Sequence, residues 1–149
     1  MMDLKEFIGL PFETWGRTYD GCDCWGLVHL FYRDHLGIDI PDYIETGFTD
    51  YNKNERELVS SVIDAGKNTW KSVQLNETQY GDVIIFALMG YPVHVGIALN
   101  NKDMLHTQEV TNSCIDRYKS FRWQKRIDID RDWETHKRKY NYITILCFI

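Results

Sequence analysis

The chain has 149 residues, of which 44% are hydrophobic and 14% aromatic, with seven Phe, nine Tyr and five Trp. One domain of that size has ample surface to bury, which excludes a disordered chain, and no apolar stretch approaches the ~18–20 residues of a membrane span. The formal charge of −5 is uneven: residues 116–139 hold a local +4 and the remainder −9. Asp128, Asp130, Asp132 and Glu134 interrupt that basic stretch, so it reads as a solvated face and not as a nucleic-acid surface.

Taken in chain order, residues 1–12 carry acids at Asp3 and Glu6 and no long apolar core, and do not read as a secretory signal. A short helix is expected over 3–8, ended by Gly9 and Pro11, followed by a turn-rich stretch over 12–21. Apolar residues at Cys24, Leu27, Val28, Phe31 and Tyr32 recur at helical spacing. Asp23 is the N-cap candidate and Gly37 the C′ residue, which predicts a mostly buried helix over 24–36. A second amphipathic helix is expected over 54–66.

From Gly81 the period changes. Residues 83–88, 93–99 and 104–107 read as strands, 110–115 as loop or strand, and 142–148 as a final strand. Helices first and an antiparallel meander afterwards make an α+β domain spanning 1–149, with no convincing internal boundary.

The chemistry begins at Cys24. As the first residue of a helix it would meet exposed N–H groups and the positive end of the helix dipole, which stabilise a thiolate. The same N–H groups suit an oxyanion forming on an attacked carbonyl. Position alone is equally met by a buried structural Cys. His94 and His106 lie on consecutive predicted strands, twelve residues apart. With a three-residue loop at 100–102, His94 opposes position 108 and His106 opposes Gly96, which makes the two rings diagonal neighbours on one face. That arrangement suits a base steadied by a second imidazole.

Zinc is the rival use of Cys and His. Cys22-x-Cys24 is too tight, and no second pair follows, so neither a metal nor another cofactor is expected. Without an export signal the four cysteines read as free thiols. His29, His35 and His136 call for no function.

Asp23-Cys24-Trp25-Gly26-Leu27-Val28 resembles the Asp-Cys-x-Gly signature of the NlpC-type cell-wall cysteine peptidases. Gly81-Asp82-Val83-Ile84-Ile85-Phe86, His94-Val95-Gly96-Ile97 and Leu105-His106-Thr107 are similar to that family's later motifs, in the same order. The likeness covers about residues 5–125 and leaves 126–149 as a tail with a final strand. It implies a papain-like fold, with N-terminal helices and the nucleophile at a helix start packed on an antiparallel sheet. It also implies Cys24 as nucleophile, His94 as base, His106 as orienting residue, and hydrolysis of peptidoglycan stem peptides.

The unit from Gly21 to Gly26 looks most like the tail-associated branch of phages and prophages. That implies synthesis in the bacterial cytoplasm, other tail proteins as partners, and action at the wall. Where many members carry an oxyanion-binding tyrosine, this chain has Phe12. Tyr19, Asp23 and Trp25 are then the candidates for oxyanion or substrate contacts, with Trp15, Trp25 and Trp123 as walls of a groove. The Phe12 departure keeps a second reading alive, a tail-structural or peptidoglycan-binding module with little catalysis. A third is an amidase or transferase on a non-wall substrate.

Overall fold

A computed structural model describes residues 2–42, 70–88, 91–120, 123 and 143–148. The helix expected over 54–66 lies outside the described residues. At the N-terminus a single 3-10 turn, Leu4–Phe7, is capped by the Asp3 carboxylate and drives Phe7 into the core against the edge of Phe31.

Helix α1 (Cys24–Phe31) begins where its cap predicts. Asp23 is extended, and its side chain accepts from the backbone N–H of Gly26. Every residue of α1 except His29 is buried, so this helix is enclosed rather than laid on a surface. It continues as a π-helical turn, Tyr32–Leu36, and stops at Gly37, whose left-handed φ of 69° costs a glycine little. The hydroxyl of Tyr32 donates to the carbonyl of Gly81, fastening the end of the helix to the start of the sheet.

The stretch over 12–21 is not all turn. It contains a minimal hairpin, β1 (Arg17–Thr18) and β2 (Gly21–Cys22), whose strands are too short to show alternation in sequence. Among the described residues the main sheet is antiparallel and six-stranded. Its strands are β3 (Trp70–Val73), β4 (Val83–Leu88), β5 (Tyr91–Ala98), β6 (Asp103–Gln108), β7 (Asn112–Arg117) and β8 (Ile143–Phe148). The spatial order is β3-β8-β4-β5-β6-β7. Strands β4 to β7 form the expected meander; of residues 110–115, open between loop and strand from sequence, those from 112 onward belong to its edge strand, β7. The final strand departs from the meander, for β8 inserts between β3 and β4.

Alternate residues of the sheet build two apolar groups. Val83, Ile85, Val95, Ile97 and Leu105 join the core that contains Leu27, Val28, Leu30 and Phe31 of α1. Ile84, Phe86, Ala98 and Met104 gather Tyr118 and Trp123 instead. At roughly 1.5–3 kcal/mol per buried large side chain, these two groups dominate the folding energy. The chain's own N-terminal segment covers part of the β7 edge. Gly9 N–H donates to the Ser113 carbonyl at 2.8 Å, and Ser113 N–H to that of Leu10 at 3.1 Å.

Candidate active site

Three backbone details set the start of α1. The Asp23 carboxylate accepts from Gly26 N–H at 2.7 Å and from Trp15 N–H at 3.0 Å. It also pairs with the Arg17 guanidinium at 2.8 Å, with the two side chains 0% and 8% exposed. To present its N–H, Trp15 adopts a left-handed φ of 59°, uncommon outside glycine. Gly26 has no room for a side chain, since a Cβ there would overlap the carbonyl oxygen of Gly16. The Asp-Cys-x-Gly pattern thus has a local meaning: the acid caps the turn, and the glycine lets the loop at Gly16 touch it.

The next two motifs meet through a short hairpin. Asn100 Oδ1 accepts from the backbone N–H groups of Lys102 and Asp103, at 2.7 and 2.8 Å, and so closes a tight turn. Strands β5 and β6 then pair as Ile97 with Leu105 and Ala98 with Met104. Extended by one step, that register sets Gly96 opposite His106, as the three-residue loop predicts. Leu99 N–H adds a bond to the Asp103 carbonyl at 2.9 Å next to the turn, and side chains carry the connection further in the other direction. His94 Nε2 and His106 Nδ1 lie 3.0 Å apart, with the rings nearly perpendicular. The roughly 7–8 Å of a diagonal pair is a backbone spacing, and the two side chains close it to a 5.2 Å separation of ring centroids.

The two rings are almost sealed, His94 at 3% and His106 at 1% exposure. The indole of Trp123 stacks on His94, centroids 5.5 Å apart and planes 15° apart, and meets His106 edge-on. Phe86 flanks both His94 and Trp123. Beyond His106, its Nε2 lies 3.6 Å from both Cys114 Sγ and Asp116 Oδ2. Asp116 Oδ2 in turn accepts from Trp123 Nε1–H at 2.9 Å.

The structure therefore brings His94 and His106 together, and seats Cys24, itself 1% exposed, at the head of the helix that packs on β5 and β6. The use of Nε2 in the His94–His106 bond makes Nδ1 the His94 atom suited to serve a thiol. At neighbouring Cys22, burial pushes the thiol up to about 12, with the Asp23 carboxylate adding to the effect.

The other candidates lie elsewhere. The Tyr19 hydroxyl donates to Asp34 Oδ2 at 2.6 Å, in the π-helical turn ~15 Å along the helix from Cys24. It serves the far end of that helix and not an oxyanion at its start. Trp25 is buried in the core and donates its indole N–H to the Pro41 carbonyl at 3.0 Å, so it walls no groove. Trp123, equally buried, is the backing of the two histidines. The Asp23 carboxylate is enclosed and engaged with internal donors, which makes it a builder of the helix start and not a substrate contact. Sequence reasoning missed Asp116, and the only available signal was its even spacing from Cys114 on the last strand of the meander.

Comparison with known proteins matches the NlpC/P60 family over residues 9–132. The chain is 25% identical over 126 residues to the murein DD-endopeptidase MepS/murein LD-carboxypeptidase of Escherichia coli K12, covering 85% of this chain and 57% of that protein. It is 30% identical over 112 residues to a gamma-D-glutamyl-L-lysine dipeptidyl-peptidase of Bacillus cereus, covering 73% of this chain and 28% of that one. It thus spans little more than half the length of the first relative and under a third of the second. Among solved structures, the NlpC/p60 domain of the peptidoglycan hydrolase SagA superposes with a TM-score of 0.56 at 20% identity, covering 78% of this chain and 85% of that one. An NlpC/P60 family protein from Bacillus cereus gives 0.58 at 24% identity, covering 80% and 34%. The α+β, papain-like architecture is the one these domains share.

Proposed function

Because the chain belongs to the NlpC/P60 family, we propose that it is a cysteine peptidase that hydrolyses peptide bonds in the stem peptides of bacterial peptidoglycan. The observation that carries this reading is the 3.0 Å contact between His94 Nε2 and His106 Nδ1, on strands against which the Cys24 helix packs. The names of both relatives, a murein endopeptidase and a glutamyl-lysine dipeptidyl-peptidase, support a wall peptide as substrate.

In this reading His94 Nδ1 takes the Cys24 proton, and the thiolate attacks the amide carbonyl. First-turn N–H groups of α1 bind the oxyanion. His94 then returns the proton to the leaving amine, which departs as the C–N bond breaks and leaves a thioester on Cys24. Water, deprotonated by His94, attacks that thioester and releases the acid and the thiol. Every step uses groups of this chain and water.

The test is a digest of purified sacculi, with muropeptides read by mass spectrometry for wild type and Cys24→Ala. New fragments from the wild type alone are expected, and their masses identify the bond cut. Identical products from both proteins would end the assignment.

Phe12 in place of a tyrosine, together with the 1% exposure of Cys24, favours a second reading: a module of the same fold that binds peptidoglycan with little turnover. Sacculi that retain the protein but yield no fragments would select it. The tail-associated setting rests on the Gly21–Gly26 unit alone. Finding the protein by mass spectrometry in purified virions, on the tail fraction, would support that setting, and finding it only in cell extract would remove it.

A further inference from the structure

We propose that Asp116 is a positioning residue for the histidine pair, acting with Trp123 to fix which nitrogen of each ring carries the proton. Its catalytic consequence rests on the hydrolase reading above; its effect on the rings does not.

In the β6–β7 ladder His106 faces Cys114, and Met104 faces Asp116. Asp116 is two residues beyond Cys114, on the same face, and so lies diagonal to His106. One of its oxygens, Oδ2, accepts from Trp123 Nε1–H at 2.9 Å and stands 3.6 Å from His106 Nε2. The indole that anchors the carboxylate is the one stacked on His94 and set edge-on to His106. A single side chain therefore holds both rings from one side and the acid from the other.

A carboxylate only accepts. Its charge favours the His106 form with a hydrogen on Nε2, which the sulfur of Cys114, 3.6 Å from the same nitrogen, also receives. His106 Nδ1 is then bare and accepts from His94 Nε2–H across the 3.0 Å contact. That leaves the lone pair of His94 on Nδ1, the atom the proposed reaction uses. The opposite set of tautomers would turn a bare nitrogen toward the carboxylate and protonate the wrong side of His94. When His94 becomes an imidazolium, the same line of dipoles ends on a negative charge and stabilises it. No proton passes to Asp116. Its side chain is 31% exposed, so the effect falls short of that of a sealed acid.

The experiment combines ring-nitrogen NMR of 15N-histidine-labelled protein with kinetics for wild type, Asp116→Asn and Asp116→Glu. Wild type should show Nε2–H on both rings. Asp116→Asn should mix the tautomers and lower kcat by roughly 10–100-fold, short of the ~10⁴ lost when a sealed orienting acid is neutralised, with KM within about twofold and Tm little changed. Asp116→Glu should recover most of the rate. A wild-type His106 carrying its hydrogen on Nδ1 would overturn the proposal. So would an Asp116→Asn protein with unchanged tautomers and kcat within twofold of wild type. Because the wild-type spectrum decides the matter, a variant that fails to fold does not protect it. Wild type inert on sacculi would sink the hydrolase reading while the ring measurement still judged Asp116.

Discussion

Gly26, in the first turn of α1, touches the backbone of Gly16 so closely that a Cβ on Gly26 would overlap the Gly16 carbonyl oxygen, and would stand 3.1 Å from the Cys22 Cβ. The loop before Cys24 and the helix that carries it are thereby locked at one separation. A backbone atom is the obstacle, so no side-chain rotation relieves the clash.

Gly26→Ala therefore sets two effects against each other. Alanine in a helix gains up to about 1 kcal/mol over glycine. Overpacking costs about 1–3 kcal/mol and sometimes more, and here it displaces main chain. The expected outcome is a net loss of about 1–2 kcal/mol in a urea melt, with a larger fractional loss of muropeptide release, because the head of α1 must shift. A variant as stable as wild type would show that the contact is slack.

Asp23 answers three donors at once, Gly26 N–H, Trp15 N–H and the nearly buried Arg17. Asp23→Ala leaves Arg17 without its carboxylate, though still bonded to the Gly16 and Asp42 carbonyls, and the cap empty. Breaking a buried ion pair from one side costs about 3–5 kcal/mol. Combining Arg17→Met with Asp23→Ala removes both charges together and should recover part of that loss, measured as a double-mutant cycle on denaturation free energy. An Asp23→Ala cost under about 1 kcal/mol would mean that the pair contributes little.

Asp34 supplies a pH-dependent stability. Its carboxyl is held down at about 2, mainly by the two hydrogen bonds from Arg33 and, against the opposing effect of burial, by the Tyr19 hydroxyl. The folded pKa lies below the unfolded one near 3.8, so the stabilisation is complete above about pH 4 and fades as pH falls toward 2. Wild type should exceed Asp34→Asn by about 1 kcal/mol at pH 6, an amount reduced by solvent screening, and the gap should close by pH 2. Melts at the two pH values check this; a gap of constant size would point to packing in place of charge.

Much of the candidate site is legible along the chain because it is local. Asp23, Cys24 and Gly26 fall within one helical turn, so cap, candidate nucleophile and close approach are all written in four residues. The parity of His94 and His106 follows from the sequence only on the premise of a three-residue loop at 100–102, and the pairing of Ile97 with Leu105 is the register that premise gives. The helix end at Gly37 and the strands from Val83 to Thr107 follow from period and punctuation in the same way.

What lay beyond reach depends on partners distant in sequence. Whether Tyr19 bonds an oxyanion or Asp34, and whether Trp25 walls a groove or fills the core, is decided by what folding places beside each side chain, and residue type does not encode it. The place of β8 between β3 and β4 joins segments some seventy residues apart, and no periodicity within either one can announce that pairing. Asp116 and Trp123 gained their place behind the histidines only when β6 paired with β7 and the indole closed over both rings. The chain by itself determined which residues form the turn, the hairpin and the two-histidine face, since those rest on backbone periods of two and 3.6. The tertiary structure alone decided which charges and rings surround them, because contacts across the sheet are chosen by packing and not by spacing.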